Sequence, residues 1–110
     1  PQQVRRADVA VVLKNRISGP ATFSGYTEVS PNLVVEVIST HDKAYEVSDK
    51  IEEWLAAGVD EVWAVLPPAK TVTVHRAGQA PKAYREHDEI HAGSGAPGFR
   101  CLVADFFSTE

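Results

Sequence analysis

A mixed α/β sheet with one crossover helix is the fold that this sequence predicts. Three observations predict it. Short Val-rich runs recur along the chain, one longer stretch changes to apolar spacings of three and four, and that stretch lies between two of the runs. Strand, helix and strand in that order imply a parallel pair joined by a right-handed crossover.

The first run is Asp8 to Leu13, whose valines favour a strand. Gly19-Pro20, Ser24-Gly25 and Ser30-Pro31 then mark turns across residues 14–31. A connection of that length is uncommon inside a compact domain and usually serves a function. Leu33 to Ile38 reads as a strand covered on both faces, because it is apolar at both parities except at Glu36. Ser39, Thr40, His41 and Asp42 supply N-cap candidates. A helix follows from about Lys43 to Ala57, its stripe formed by Ala44, Val47, Ile51, Trp54 and Leu55. Gly58 is suited to the C′ position. Glu61 to Leu66 and Thr71 to His75 form a hairpin across Pro67-Pro68, with a connection of about five residues. Lys82 to Glu86 makes a third antiparallel strand, and the stretch through Gly98 reads as loop. Leu102 to Phe107 is an apolar closing segment that docks on the core.

With 110 residues, 44% of them hydrophobic and 24% charged, residues 1–110 make one globular domain. No apolar run is long enough for a bilayer, and Pro1-Gln-Gln-Val-Arg-Arg6 has no signal-peptide character. Cys101 is the sole cysteine, so no internal disulfide forms and a cytoplasmic location is expected. Eleven Lys and Arg against 15 Asp and Glu give a net charge of -4. That balance excludes a protein that coats nucleic acid through phosphate neutralisation, and leaves room for a nucleic acid held transiently as substrate.

Glu36 is the residue most at odds with its surroundings. A buried carboxylate needs a cation, a metal or several donors, whereas a solvent-facing edge position would need none. Asp8 is by itself an ordinary strand-start residue. Paired with Glu36 on a neighbouring strand, it makes two carboxylates within reach of one Mg²⁺. Lys50 lies four residues after Glu46, the spacing of an ordinary surface ion pair, and also borders the apolar stripe near the end of the sheet. His41, His75, His87 and His91 have no zinc-ligand spacing. Cys101 has no motif neighbour and reads as an inert thiol. Gly93, Gly95 and Gly98 have the spacing of a flexible loop, with no helix following to make a nucleotide site.

Pro31-Asn-Leu-Val-Val-Glu-Val-Ile-Ser39, then Lys50, then Ala57-Gly-Val-Asp-Glu-Val-Trp63 together resemble the Uma-two family of restriction-endonuclease-like, PD-(D/E)XK superfamily proteins of bacteria. Asp8-Val-Ala-Val-Val, Thr71-Val-Thr-Val-His-Arg76 and Pro97-Gly-Phe99 extend the likeness over essentially the whole chain. The resemblance implies a restriction-endonuclease-like sheet and a metal-dependent phosphodiesterase core. Asp8 and Glu36 would hold Mg²⁺ or Mn²⁺, and Lys50 would replace the lysine normally found two residues after the glutamate, where Ile38 stands here. Lys50 gains a catalytic role from the resemblance alone. The family's Pro-Asp is Pro31-Asn32 in this chain, which removes one charge. The family's upstream helix and first strand are expected to be missing, leaving an apolar face for self-association or a partner.

Two functions follow. One is a Mg-dependent endonuclease with Asp8, Glu36 and Lys50 as catalytic residues. The other is a catalytically inactive interaction or scaffold module that keeps the nuclease fold.

Overall fold

The computed structural model describes residues 31–107, together with the backbone of 9–11. Asp8 and the 12–30 connection lie outside the described residues. In chain order the elements are β1 (Val9–Val11), β2 (Leu33–Val37), α1 (Ala44–Ala56), β3 (Glu61–Leu66), β4 (Thr71–His75), β5 (Lys82–Tyr84), β6 (Glu89–His91) and β7 (Arg100–Leu102), followed by a 3-10 helix (Val103–Phe107).

Strands β1 to β5 form one sheet in sequence order, and β6 and β7 form a second, two-stranded sheet. Among the described strands only β2 and β3 run parallel, with Leu33 opposite Glu61 and Glu36 opposite Ala64. The helix α1 between them is therefore the crossover that the sequence implied. β1 joins β2 antiparallel, Val9 facing Val35, while β4 and β5 continue antiparallel from β3.

The parallel pair is buried on both faces. On one side Val34, Val62 and Ala64 pack with Ile51 of α1 and with Val59. On the other, Leu33, Trp63, Val65, Val72 and Val74 pack with Ile90 and Val103. That second layer is closed by the C-terminal segment, whose Phe106 meets Trp63 edge-on at 6.2 Å. The closing segment docks as its composition suggested, with a strand residue, Leu102, leading into the 3-10 helix.

Helix α1 ends where its sequence says it should. Gly58 takes φ 101, Gly58 N–H donates to the Leu55 carbonyl at 3.1 Å, and Val59 N–H donates to Trp54 at 3.2 Å. This is a Schellman motif, and Val59 and Trp54 also share the apolar cluster beneath it. The start differs from the sequence reading. Lys43 is the N-cap residue and makes no side-chain cap. Asp42 turns back instead, its Oδ2 accepting from Ser39 N–H at 2.8 Å, so the polar run 39–42 closes a turn before the helix.

Three further differences have local causes. The β3–β4 link is four residues, Pro67 to Lys70, with Lys70 at φ 52 and its N–H on the Pro67 carbonyl at 3.1 Å. β5 stops at Tyr84, because Arg85 N–H is taken by Asp88 Oδ2 at 2.8 Å in a turn. β6 lies in the stretch that read as loop, and β7 bridges the gap between that stretch and the closing segment, which its Leu102 begins. Each is three residues long, and in β6 only Ile90 is buried, so no alternation was there to detect. Among the described residues no helix is long and apolar enough to cross a membrane.

Candidate functional site

Glu36 lies near the C-terminal end of β2, on the sheet face that α1 covers. It is 4% exposed. Its position follows from strand alternation: Val34 and Glu36 point to the same side, and Val34 sits in the apolar cluster under α1. The helix supplies two groups to it. Lys50 Nζ stands 3.0 Å from Glu36 Oε2, and Trp54 Nε1–H donates to the same oxygen at 3.0 Å. Lys50 and Trp54 are four apart, so one helix face presents both. The sequence offered Glu46 as the partner of Lys50; the ammonium instead reaches the sheet.

An open cleft of about 280 Å³ adjoins the pair, lined by Glu36, Ile38, Asp42, Glu46, Val47 and Lys50 among others. Lys50 is 34% exposed, so its ammonium stands between the buried carboxylate and water. Both contacts to Glu36 fall on Oε2, and Oε1 takes neither. The arrangement thus combines a buried carboxylate with a partly exposed cation at the edge of a cleft.

Glu61 shows what a saturated carboxylate looks like in this protein. It is 0% exposed on the opposite sheet face. Arg76 Nη2 and Trp63 Nε1 donate to its Oε1 at 3.0 and 3.2 Å, and Gly95 N–H donates to its Oε2 at 2.8 Å. A Cβ on Gly95 would lie 2.8 Å from that oxygen, and one on Gly93 at 3.2 Å. These glycines permit a close approach of backbone to carboxylate, which the flexible-loop reading missed. Sequence reasoning also passed over Glu61. Its one local signal is Trp63 two residues on, the same-face position of a strand.

Asn32 is buried at the other end of β2. Its Nδ2 donates to Asp60 Oδ2 at 3.1 Å, and its carbonyl accepts from Asp60 and Glu61 N–H at 3.0 and 3.2 Å. It stands four residue steps from Glu36, about 13 Å along the chain direction of β2. It braces the start of β3 from there.

Other titratable groups stand apart. His91 Nε2 pairs with Glu89 Oε1 at 2.9 Å on the surface. Burial lowers the pKa of His75 below 6.5, against an opposing pull from the Glu52 charge. The Cys101 thiol is pushed up, by burial first and then by the Asp105 and Glu89 charges, as suits an inert thiol.

Among the described residues no group of three His, Cys, Asp or Glu is placed to hold a metal ion. The carboxylates that line the cleft are those of Glu36, Asp42 and Glu46, and Asp8 lies outside the described residues. Mg²⁺ takes one or two carboxylates and completes its shell with waters and substrate oxygens, so a single carboxylate oxygen at an open cleft fits that ion.

The Uma2 family model, described as "Putative restriction endonuclease", matches residues 1–104. A crystal structure described as a putative nuclease belonging to DUF820, from Anabaena variabilis ATCC 29413, is similar in fold, with a TM-score of 0.64 and 23% identity. The match covers 71% of this chain and 44% of that one, so this chain spans less than half of the solved protein's length. No curated protein matches.

Proposed function

This chain belongs to the Uma2 family, and on that premise we propose that it is a metal-dependent endonuclease that hydrolyses phosphodiester bonds in nucleic acid. The observation that carries the reading is Glu36, a carboxylate 4% exposed whose two partners both fall on one oxygen beside a cleft. Glu61, by contrast, accepts at both of its oxygens.

Glu36 and Asp8 are the residues we assign to Mg²⁺ or Mn²⁺. Asp8 lies outside the described residues, and its assignment rests on the family resemblance, in which it matches the first metal-binding aspartate. A divalent ion at such a site polarises a phosphate and lowers the pKa of an attacking water. Lys50 has the remaining role. Its ammonium, held at the cleft by Glu36, swings to the phosphate and neutralises the charge that grows there.

The same reading places the protein in the cytoplasm with nucleic acid as its substrate. Val37, Phe99 and Leu102, each about half exposed, supply apolar surface for self-association or for a partner. A second reading, an inactive module that keeps the fold, is favoured by the lack of a three-ligand cluster among the described residues.

Cleavage assays on duplex DNA, single-stranded DNA and RNA with Mg²⁺ and Mn²⁺ separate the two. The endonuclease reading expects cleavage that falls about a hundredfold or more in Glu36→Ala and Lys50→Met. Cleavage unaffected by either change, or none on any substrate from a folded protein, supports the inactive module.

A further inference from the structure

We infer that Trp54 is the positioning residue of the Glu36 carboxylate, pinning Oε2 so that Oε1 is presented to the cleft. The inference rests on the proposed role of Glu36 as a cation ligand.

The molecule holds its own comparison. Two buried glutamates each accept from one tryptophan indole and one basic side chain. At Glu61 a third donor, Gly95 N–H, closes the second oxygen, and the residue is sealed. At Glu36 the donors are Trp54 and Lys50 on the same oxygen, and among the described residues no third closes the other. The two donors also differ in kind. Lys50 ends a flexible stem and is 34% exposed, so it is free to leave for a phosphate. Trp54 is a rigid ring packed against the cluster of Val34, Ile51, Val59, Val62 and Ala64. Its N–H keeps its place when the lysine moves. Without it, the carboxylate rotates about its last bond and the ligand oxygen is no longer held. A donor that orients a ligating carboxylate in this way typically changes metal affinity by about 10- to 100-fold when removed.

Trp54→Phe keeps most of the ring and deletes the N–H. In calorimetric Mn²⁺ titrations of the full chain, it should weaken binding about tenfold without changing stoichiometry. Trp63→Phe deletes the equivalent donor on Glu61; it should lower the melting temperature and leave Mn²⁺ affinity within about twofold. The wild type supplies a readout that needs no variant: Mn²⁺ should broaden the Trp54 indole ¹⁵N–¹H resonance before that of Trp63. Mn²⁺ affinity equal in wild type and Trp54→Phe overturns the positioning role and leaves Glu36 as ligand. Broadening that reaches Trp63 first puts the ion away from Glu36 and overturns the proposed function together with the inference. A wild type that binds no Mn²⁺ overturns the proposed function, and the inference with it.

Discussion

At Glu36 the cost of burying an anion is offset by one ammonium and one indole N–H, both at 3.0 Å. Losing the cation leaves that charge buried against a single neutral donor. Lys50→Met should therefore destabilise the fold by about 1–3 kcal/mol, a range set below that of a sealed ion pair because Lys50 is partly exposed. Urea unfolding checks the value. In the double variant Lys50→Met, Glu36→Gln the loss should be smaller than in Lys50→Met alone, since the orphaned charge is gone. Glu36 was legible in the sequence because it broke an apolar strand. Lys50 was not: a glutamate four residues earlier offered it a local partner, and only the family resemblance raised it. The contact it makes is with Glu36 on the preceding strand, a distance that helical spacing does not encode. Glu61 was less legible still. A Glu at the first position of a strand is ordinary, and its partners Arg76 and Gly95 lie 15 and 34 residues away.

Among the elements, those with strong periodic patterns were readable to within a residue or two. β3 and β4 have the bounds that their apolar runs and the Pro67-Pro68 stop imply, and α1 ends at the glycine expected of it. β6 and β7 were not readable, because three residues with at most one buried side chain do not make a period. Their place is set instead by what they cover, the Trp63 and Val74 side of the sheet. Two glycines test this level. Gly58→Ala forces a side chain into the left-handed region and should cost about 1 kcal/mol in thermal or urea unfolding. Gly95→Ala should cost more, about 2–3 kcal/mol, because its Cβ would come 2.8 Å from Glu61 Oε2 in a sealed site. Unfolding free energies for the two variants should rank in that order.

Over the whole molecule, two apolar layers hold the β2–β3 pair between them, and the cleft opens where α1 leaves the end of β2. The mixed α/β class, its crossover and the docking of the closing segment were evident from the order of the runs, but the β6–β7 part of the second layer was not, since those short strands had no signature. Stability of the whole fold should also depend on pH through His75. Burial lowers its pKa below 6.5, so in mildly acidic solution the unfolded chain takes up a proton that the folded chain resists. Stability then falls as pH drops below about 6.5, while above it both states are neutral there and the contribution is constant. Urea unfolding of wild type and His75→Asn between pH 5 and 8 should show the variant losing less on the acid side. The account as a whole turns on Glu36 as the ligand of a hard cation. A calorimetric Mn²⁺ and Mg²⁺ titration of the chain and of Glu36→Ala tests that most directly. The account predicts binding in the first that vanishes in the second, with both proteins folded. Equal binding in the two, or no binding to the folded wild type, would contradict it.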